Sequence, residues 1–366
     1  MSNPKVSFVV PCYKLAGFLP TCINSILRQS YTDFEILIMD DCSPDNTGEV
    51  AQSFSDPRIR YIRNDPNLGH LRNYNRGIEL SRGAYIWLIS ADDYLRSNRV
   101  LQRYVERLDR SPEVGYVFCT GYGVRDGIET DLLGQLQGRG DRDRVLSGKT
   151  LLKKLLSGNF VLTPSGMVRR ECYEKVSKFP LDMPWCGDWY LWCLFALHYD
   201  VGYFAEPMVC YRQQHSLSMT EKLTGERLEA CASEEIRVPW TIREHALRLG
   251  RQDVARLCIA ALADTYARTL ADQRYLSAGS NVNFERMENS LQQQAITDLE
   301  RDCIRARVYA TVGNKCYWRH DVTAARHFYR LALAKAPWRL SVLIKLLLIS
   351  LGRPGHYVRR SILSAR

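Results

Sequence analysis

Between Val6 and Ser90 four short apolar runs alternate with two helical patterns, and this alternation restricts the fold more than any other feature of the chain. VSFVV (Val6 to Val10), FEILIMD (Phe34 to Asp40), IRYIR (Ile59 to Arg63) and AYIWLIS (Ala84 to Ser90) are rich in β-branched and aromatic residues and read as strands. FLPTCINSILRQS (Phe18 to Ser30) and NYNRGIELSRG (Asn73 to Gly83) carry apolar residues at helical spacing, the second closed by a glycine. Strands that are apolar throughout need cover on both faces. The pattern therefore predicts an α/β fold with a mostly parallel sheet flanked by helices. In such sheets ligands bind beyond the carboxyl ends of the strands.

Two of these runs lead into adjacent carboxylates, Asp40–Asp41 and Asp92–Asp93. Like charges side by side cost energy unless a cation or hydrogen-bond donors face them. A single doublet can be an ordinary Asx-turn. An EF-hand is excluded, because counting from Asp41 puts Asn46 where the loop needs glycine and Gln52 where it needs its terminal Glu. A dinucleotide fold is disfavoured, since the first strand runs into PCYK instead of a G-x-G-x-x-G turn. Two doublets at neighbouring strand ends suit a nucleotide. One carboxylate can accept from ribose or base while another holds a hard divalent cation that bridges a diphosphate.

At 366 residues the chain has room for two ordinary domains. Strand-like runs stop near Thr220, giving an expected boundary between 1–220 and an all-helical 221–366. Within the second part, Ala306 to Arg339 matches one tetratricopeptide unit at Tyr309, Gly313, Ala325, Tyr329, Ala332 and Pro337; a plain helical hairpin is the alternative. The net charge of +10 fits nucleic acid, acidic lipid or phosphorylated substrates alike. No interleaved basic and aromatic motif supports the first, so no nucleic-acid partner is expected. The 12 cysteines show no C-x-x-C pair and read as buried free thiols in a reducing compartment. The amino terminus reads as a first strand and not a signal peptide. No window reaches the ~18 apolar residues that span a bilayer. LSVLIKLLLISLG (Leu340 to Gly352) is followed by RPGHYVRRSILSAR (Arg353 to Arg366), with four arginines and no acid. That region can lie on an anionic membrane surface, or its helix can pack on its predecessors with the tail merely solvated.

In order along the chain, VSFVVPCYK, DFEILIMDDCSPDNT, NLGHLRNYNRGIELSRGAYIWLISADDYLRSNRV, GDW and YRQQHSLS resemble the motifs of the family 2 glycosyltransferases, which have the GT-A fold. The resemblance covers roughly Val6 to Met219. It implies an inverting, metal-dependent transfer from a nucleotide sugar, usually a UDP-sugar, to a hydroxyl of a glycan or lipid-linked saccharide. Pro11 and Tyr13 would line the nucleotide pocket, Asp41 would bond the base, and Asp92 would sit near the ribose. Asp93 would be the direct ligand of Mn2+ or Mg2+, with His215 near the metal or diphosphate. Asp188 of GDW would be the general base that takes the acceptor proton; capping the helix Trp189 to His198 is its other reading. The family commonly has Ala-Arg-Asn where this chain has Arg72-Asn73-Tyr74-Asn75. Arg72 is the first choice to face the phosphates, with His70, Arg76 and Arg212 as other cations.

Acceptor recognition is expected from NFVLTPSGMVRR (Asn159 to Arg170), which includes Ser165, and from Trp185. The resemblance further implies polysaccharide biosynthesis for the cell envelope, from the cytoplasm or the inner face of its membrane. The processive members' Q-x-x-R-W signature and membrane spans are not visible, so single addition is expected. A noncatalytic scaffold that keeps the nucleotide-sugar or glycan pocket is the competing class.

Overall fold

The computed structural model describes residues 3–136, 142–213, 226–271 and 283–350. The chain divides into two compact units, Met1–Leu223 and Thr224–Arg366.

The first unit is built on one ten-stranded sheet. Its strands are β1 (Val6–Cys12), β2 (Phe34–Asp40), β3 (Ile59–Arg63), β4 (Tyr85–Leu88), β5 (Tyr94–Leu95), β6 (Val114–Arg125), β7 (Ile128–Leu133), β8 (Arg144–Leu146), β9 (Met167–Arg169) and β10 (Asp200–Arg212). The order is β3-β2-β1-β4-β9-β6-β10-β5, with β7 beside β6 and β8 beside β10. β3, β2, β1 and β4 are mutually parallel, as the continuous apolar runs require. Beyond them β9 runs antiparallel to both β4 and β6, and β6 pairs with β10 in parallel. Every residue of β1, β2 and β4 is buried. On one side of the sheet, Phe8, Trp87, Tyr104 and Phe204 stack in sequence with ring centroids 5.3, 4.6 and 5.0 Å apart.

Register brings the two acidic doublets to the same edge. β1 and β2 pair without a shift from Val6 opposite Phe34 to Cys12 opposite Asp40, so Asp41 follows directly at the strand end and bonds its amide to the Cys12 carbonyl. β4 pairs with β1 up to Val9 opposite Leu88, and the Ala91 amide then reaches the Pro11 carbonyl. Asp92 and Asp93 therefore lie beside the exit of β1.

The helix expected at Asn73 to Gly83 spans His70–Leu80 instead. It starts early because Gly69 takes a φ of 80°, which lets the chain turn into the helix; that conformation is strained for residues with a Cβ. It ends early because Ser81 is extended. Gly83 is not its cap: a Cβ there would lie 2.5 Å from the Ser7 amide nitrogen, so glycine serves close packing on β1.

The second unit is helical among its described residues: Glu226–Arg248, Gln252–Leu270, Phe284–Gln293, Asp298–Trp318, Val322–Lys335 and Leu340–Ser350. Asp298–Trp318 opens on a capping box between Thr297 and Glu300. It pairs with Val322–Lys335 as a hairpin in which Gly313 leaves room for Tyr329, whose hydroxyl donates to Asn314 Oδ1 at 2.8 Å. None of the twelve cysteines, all of them among the described residues, forms a disulfide, and eight are buried. Among the described residues no helix is long and apolar enough to cross a membrane. The basic stretch Arg353 to Arg366 lies outside the described residues.

Candidate active site

A cleft of about 520 Å³ opens at the carboxyl edge of the parallel strands. Its lining includes Pro11, Tyr13, Asp41, Asp92, Asp93, Trp185, Asp188 and Arg212. Of the expected site residues it omits Arg72, which is exposed, and Ser165, which is buried with its hydroxyl donating to the Leu162 carbonyl. Thr163, two residues before Ser165, does line the cleft. His215 lies outside the described residues.

The protein itself answers the charge of the first doublet. Fully buried Asp40 accepts from the Ser43 amide at 2.8 Å, Tyr61 Oη at 2.6 Å and Arg63 Nη1 at 3.0 Å. Asp41 Oδ1 accepts from Asn64 Nδ2 and the Leu68 amide, both at 2.8 Å, and its Oδ2 from the Gly69 amide at 2.9 Å. Asp41 thus ties the loop before His70 to the end of β2. A carboxylate offers about four acceptor positions, so capacity for one further donor remains.

The second doublet is answered less completely. Asp93 is buried and accepts the Arg212 amide at 2.9 Å, while Arg212 Nε donates to the Asp92 carbonyl at 3.0 Å. Desolvation first, then repulsion from Asp92, pushes the Asp93 carboxyl well above the usual range, against the opposing pull of Arg212. A buried carboxyl beside a second acid is a place where a cation lowers the energy. Among the described residues no three His, Cys, Asp or Glu side chains gather to hold a metal ion. The available donors are hard carboxylate oxygens, which fits Mg2+ or Mn2+ completed by phosphate and water and does not fit a closed protein cage.

Arg212 belongs to the cleft lining, and its guanidinium lies 4.7 Å from the Phe18 ring centroid and 5.8 Å from that of Tyr94, contacts that hold the charged group beside the doublet. Arg76 is engaged elsewhere, donating to Asn64.

Asp188 sits in the first turn of the helix Gly187–His198, whose N-cap is Cys186, so the capping role read from the sequence does not hold. Its Oδ2 accepts from Thr163 Oγ1 at 3.0 Å and Asn159 Nδ2 at 3.1 Å, and its Oδ1 from the Trp189 amide at 2.7 Å. Desolvation raises its carboxyl above the usual range, and these three donors oppose that rise. A half-buried, fixed carboxylate of raised basicity is suited to proton abstraction. Trp185 lines the cleft three residues before it, whereas Trp189 is a core residue whose Nε1 donates to the Leu155 carbonyl at 2.8 Å.

The helix His70–Leu80 is bonded to the segment before Asp188. Asn75 bonds both the amide and the carbonyl of Phe179, at 3.0 and 2.9 Å, and His70 Nε2 is 3.0 Å from the Pro184 carbonyl. The Tyr74 ring packs edge-on to His70 and Phe179 and also lines the cleft. Burial, then the fields of Asp92, Asp188 and Asp93, pushes its phenol well up, which keeps it a neutral donor. Sequence reasoning missed Tyr74, although the departure Arg72-Asn73-Tyr74-Asn75 marked the place. It also missed that Asn159 and Thr163 hold Asp188, because no local pattern links residues 25 and 29 positions away.

The sequence model of the family described as Glycosyl transferase family 2 matches residues 7–176. The uncharacterized glycosyltransferase EpsJ of Bacillus subtilis is 34% identical over 154 residues, covering 42% of this chain and 43% of EpsJ. The succinoglycan biosynthesis protein ExoO of Rhizobium meliloti is 39% identical over 106 residues, covering 29% of this chain and 30% of ExoO. The chain thus spans less than half the length of either relative. Among solved structures, S. aureus TarS 1-349 in complex with UDP-GlcNAc superposes with a TM-score of 0.62 over 92% of both chains at 14% identity, a likeness of fold. With the strand-end doublets, the cleft and the family match in agreement, the amino-terminal unit is a GT-A domain of the family 2 glycosyltransferases.

Proposed function

We propose that the protein is an inverting glycosyltransferase that moves a sugar from a nucleotide sugar to a hydroxyl of a glycan or lipid-linked saccharide. One observation supports the reading: a single cleft is lined by the Asp92–Asp93 doublet, by Arg212 and by a separate carboxylate, Asp188. The nucleoside rests between Pro11, Tyr13 and Asp41. Arg212 balances the diphosphate, a role its place in the lining favours over exposed Arg72. Asp93, with Asp92 and a contribution from His215, would hold Mn2+ or Mg2+, which when bound offsets the negative charge of the departing nucleoside diphosphate.

The acceptor enters past Trp185. Its hydroxyl oxygen bonds the anomeric carbon from the face opposite the diphosphate, the carbon–phosphate oxygen bond breaks, and the hydroxyl proton passes to Asp188. Asn159, Thr163 and the Trp189 amide hold that carboxylate in one orientation. Tyr74, neutral and between the acids, offers a hydroxyl to the transferred sugar. The UDP-GlcNAc of the TarS complex makes a UDP-sugar the donor class to test first.

Isothermal titration with UDP, GDP, CDP and dTDP, with and without Mn2+, tests the donor side. Tight binding of one diphosphate that weakens without metal or in Asp93→Ala is the expected result; binding of none of the four overturns the proposal. Nucleotide affinity without any donor turnover would return the chain to the class of noncatalytic binding scaffolds.

A further inference from the structure

The helix Leu340–Ser350 is apolar on two opposite faces. Val342 and Ile349 are buried in a cluster with Tyr329 and Ala332 of the preceding helix. Turned away from them, Leu340, Leu343, Ile344 and Leu347 are 65, 38, 45 and 57% exposed, and Trp338 just before the helix is 62% exposed. Positions 340, 343, 344 and 347 recur at helical spacing, so the four form one continuous stripe about 100° wide. Single exposed leucines are ordinary, but a contiguous row of large apolar side chains marks a surface that something covers.

Charge identifies the cover. After Asp321 the chain contains no Asp or Glu through Arg366, while nine lysines and arginines occur in the same stretch of a protein whose net charge is +10. Nearly all of the chain's excess positive charge is thus concentrated in the segment that carries the stripe. An apolar row led by a tryptophan, in a segment of sequence that carries nine cations and no acid, matches the boundary of an anionic bilayer, with hydrocarbon below and phosphate above. The other occupants match less well. A second copy of this chain would set like charge against like across a symmetric contact. A nucleic acid would use the cations and leave the leucines in water. The helix has 11 residues, too few to cross a bilayer.

We infer that the Leu340–Ser350 helix lies flat on anionic membrane lipid, its Leu340, Leu343, Ile344 and Leu347 side chains entering the acyl boundary and the excess positive charge of the same segment drawing it to the headgroups. This attachment is independent of the donor chemistry and would stand if the transferase reading fell.

Cosedimentation of the full chain with phosphatidylcholine vesicles, with and without phosphatidylglycerol, tests it. Binding only to the phosphatidylglycerol vesicles is expected, falling about tenfold or more at high ionic strength. The variant Leu343→Gln/Leu347→Gln should lose about tenfold or more of that binding, while its circular dichroism and nucleotide affinity stay unchanged. Equal binding by the double variant, or no binding by the unaltered protein, overturns the inference. So does a dimer that the double variant abolishes in the absence of vesicle binding, which would assign the stripe to a second copy. Tighter binding to homopolymer RNA than to the vesicles would also overturn it.

Discussion

Arg212 donates its backbone amide to Asp93 Oδ1 and its Nε to the Asp92 carbonyl, so one residue near the end of β10 clamps the acidic doublet beyond β4 at two points. The residue that steadies the doublet also lines the cleft.

Arg212 and exposed Arg72 should therefore separate cleanly. Arg212→Ala is expected to weaken nucleoside diphosphate binding about tenfold or more, the scale of a lost charge-assisted hydrogen bond. Arg72→Ala should leave it within about twofold, as for other surface substitutions. Titration of both variants against one nucleotide decides the point.

In the proposed role of base, Asp188 would act only when ionised. Because burial raises its carboxyl, activity should fall on the acid side at a pH above the ordinary carboxylate range. Thr163→Val removes a donor that favours the charged form, so the acid limb of kcat/KM should move further up. Asp188→Asn should cut transfer by about 10²–10⁴-fold with nucleotide affinity preserved. A pH profile of the Thr163 variant that matches the unaltered protein would argue against Asp188 as the base.

Glu35 binds the sheet to the helix His70–Leu80 and the turn after it. It accepts from Ser7 Oγ at 2.7 Å, Arg60 Nη1 at 3.1 Å, and the Arg82 amide and Nε at 2.7 and 2.9 Å. Burial raises its carboxyl, yet these donors outweigh burial and leave it below the usual range. A depressed carboxyl contributes stability that is present above its unfolded value and lost as pH falls through its folded one. Glu35→Gln should cost about 1–3 kcal/mol at pH 7, with the difference closing below about pH 4. Denaturant melts at several pH values measure both.

Gly77 marks where the helix His70–Leu80 touches β1. A Cβ there would lie 2.4 Å from Val9 Cγ1 and 3.1 Å from Met39 Cγ. Gly77→Ala should destabilise by about 1–3 kcal/mol through overpacking. Pairing it with Val9→Ala should recover part of the loss, because the clashing methyl is then absent; a double-variant cycle reads this coupling.

The parallel strands were legible because β1, β2 and β4 are apolar runs, and the doublets because two of the runs lead directly into them. Phe34 to Asp40 and Ile59 to Arg63 match the observed strands residue for residue. The start of the helix at His70 was not legible, since only the positive φ of Gly69 sets it. Nor was the partner of each charge. Asp40 is satisfied by Arg63 and Asp41 by Asn64, Leu68 and Gly69, pairings across 20 or more residues that periodicity does not encode. Ser165 failed as a cleft residue because the short 3-10 turn Thr163–Ser165 aims Thr163 inward and bonds Ser165 back to Leu162.

Both bonds that Asn75 makes reach the main chain of Phe179, not its side chain. The segment that leads from Phe179 toward Trp185 and Asp188 is thus held at its start through main-chain atoms as well as through the Phe179 ring. A substitution at position 179 would give up the ring contact with Tyr74 but keep both of these bonds, so the course of the chain toward Asp188 can outlast a change of side chain there.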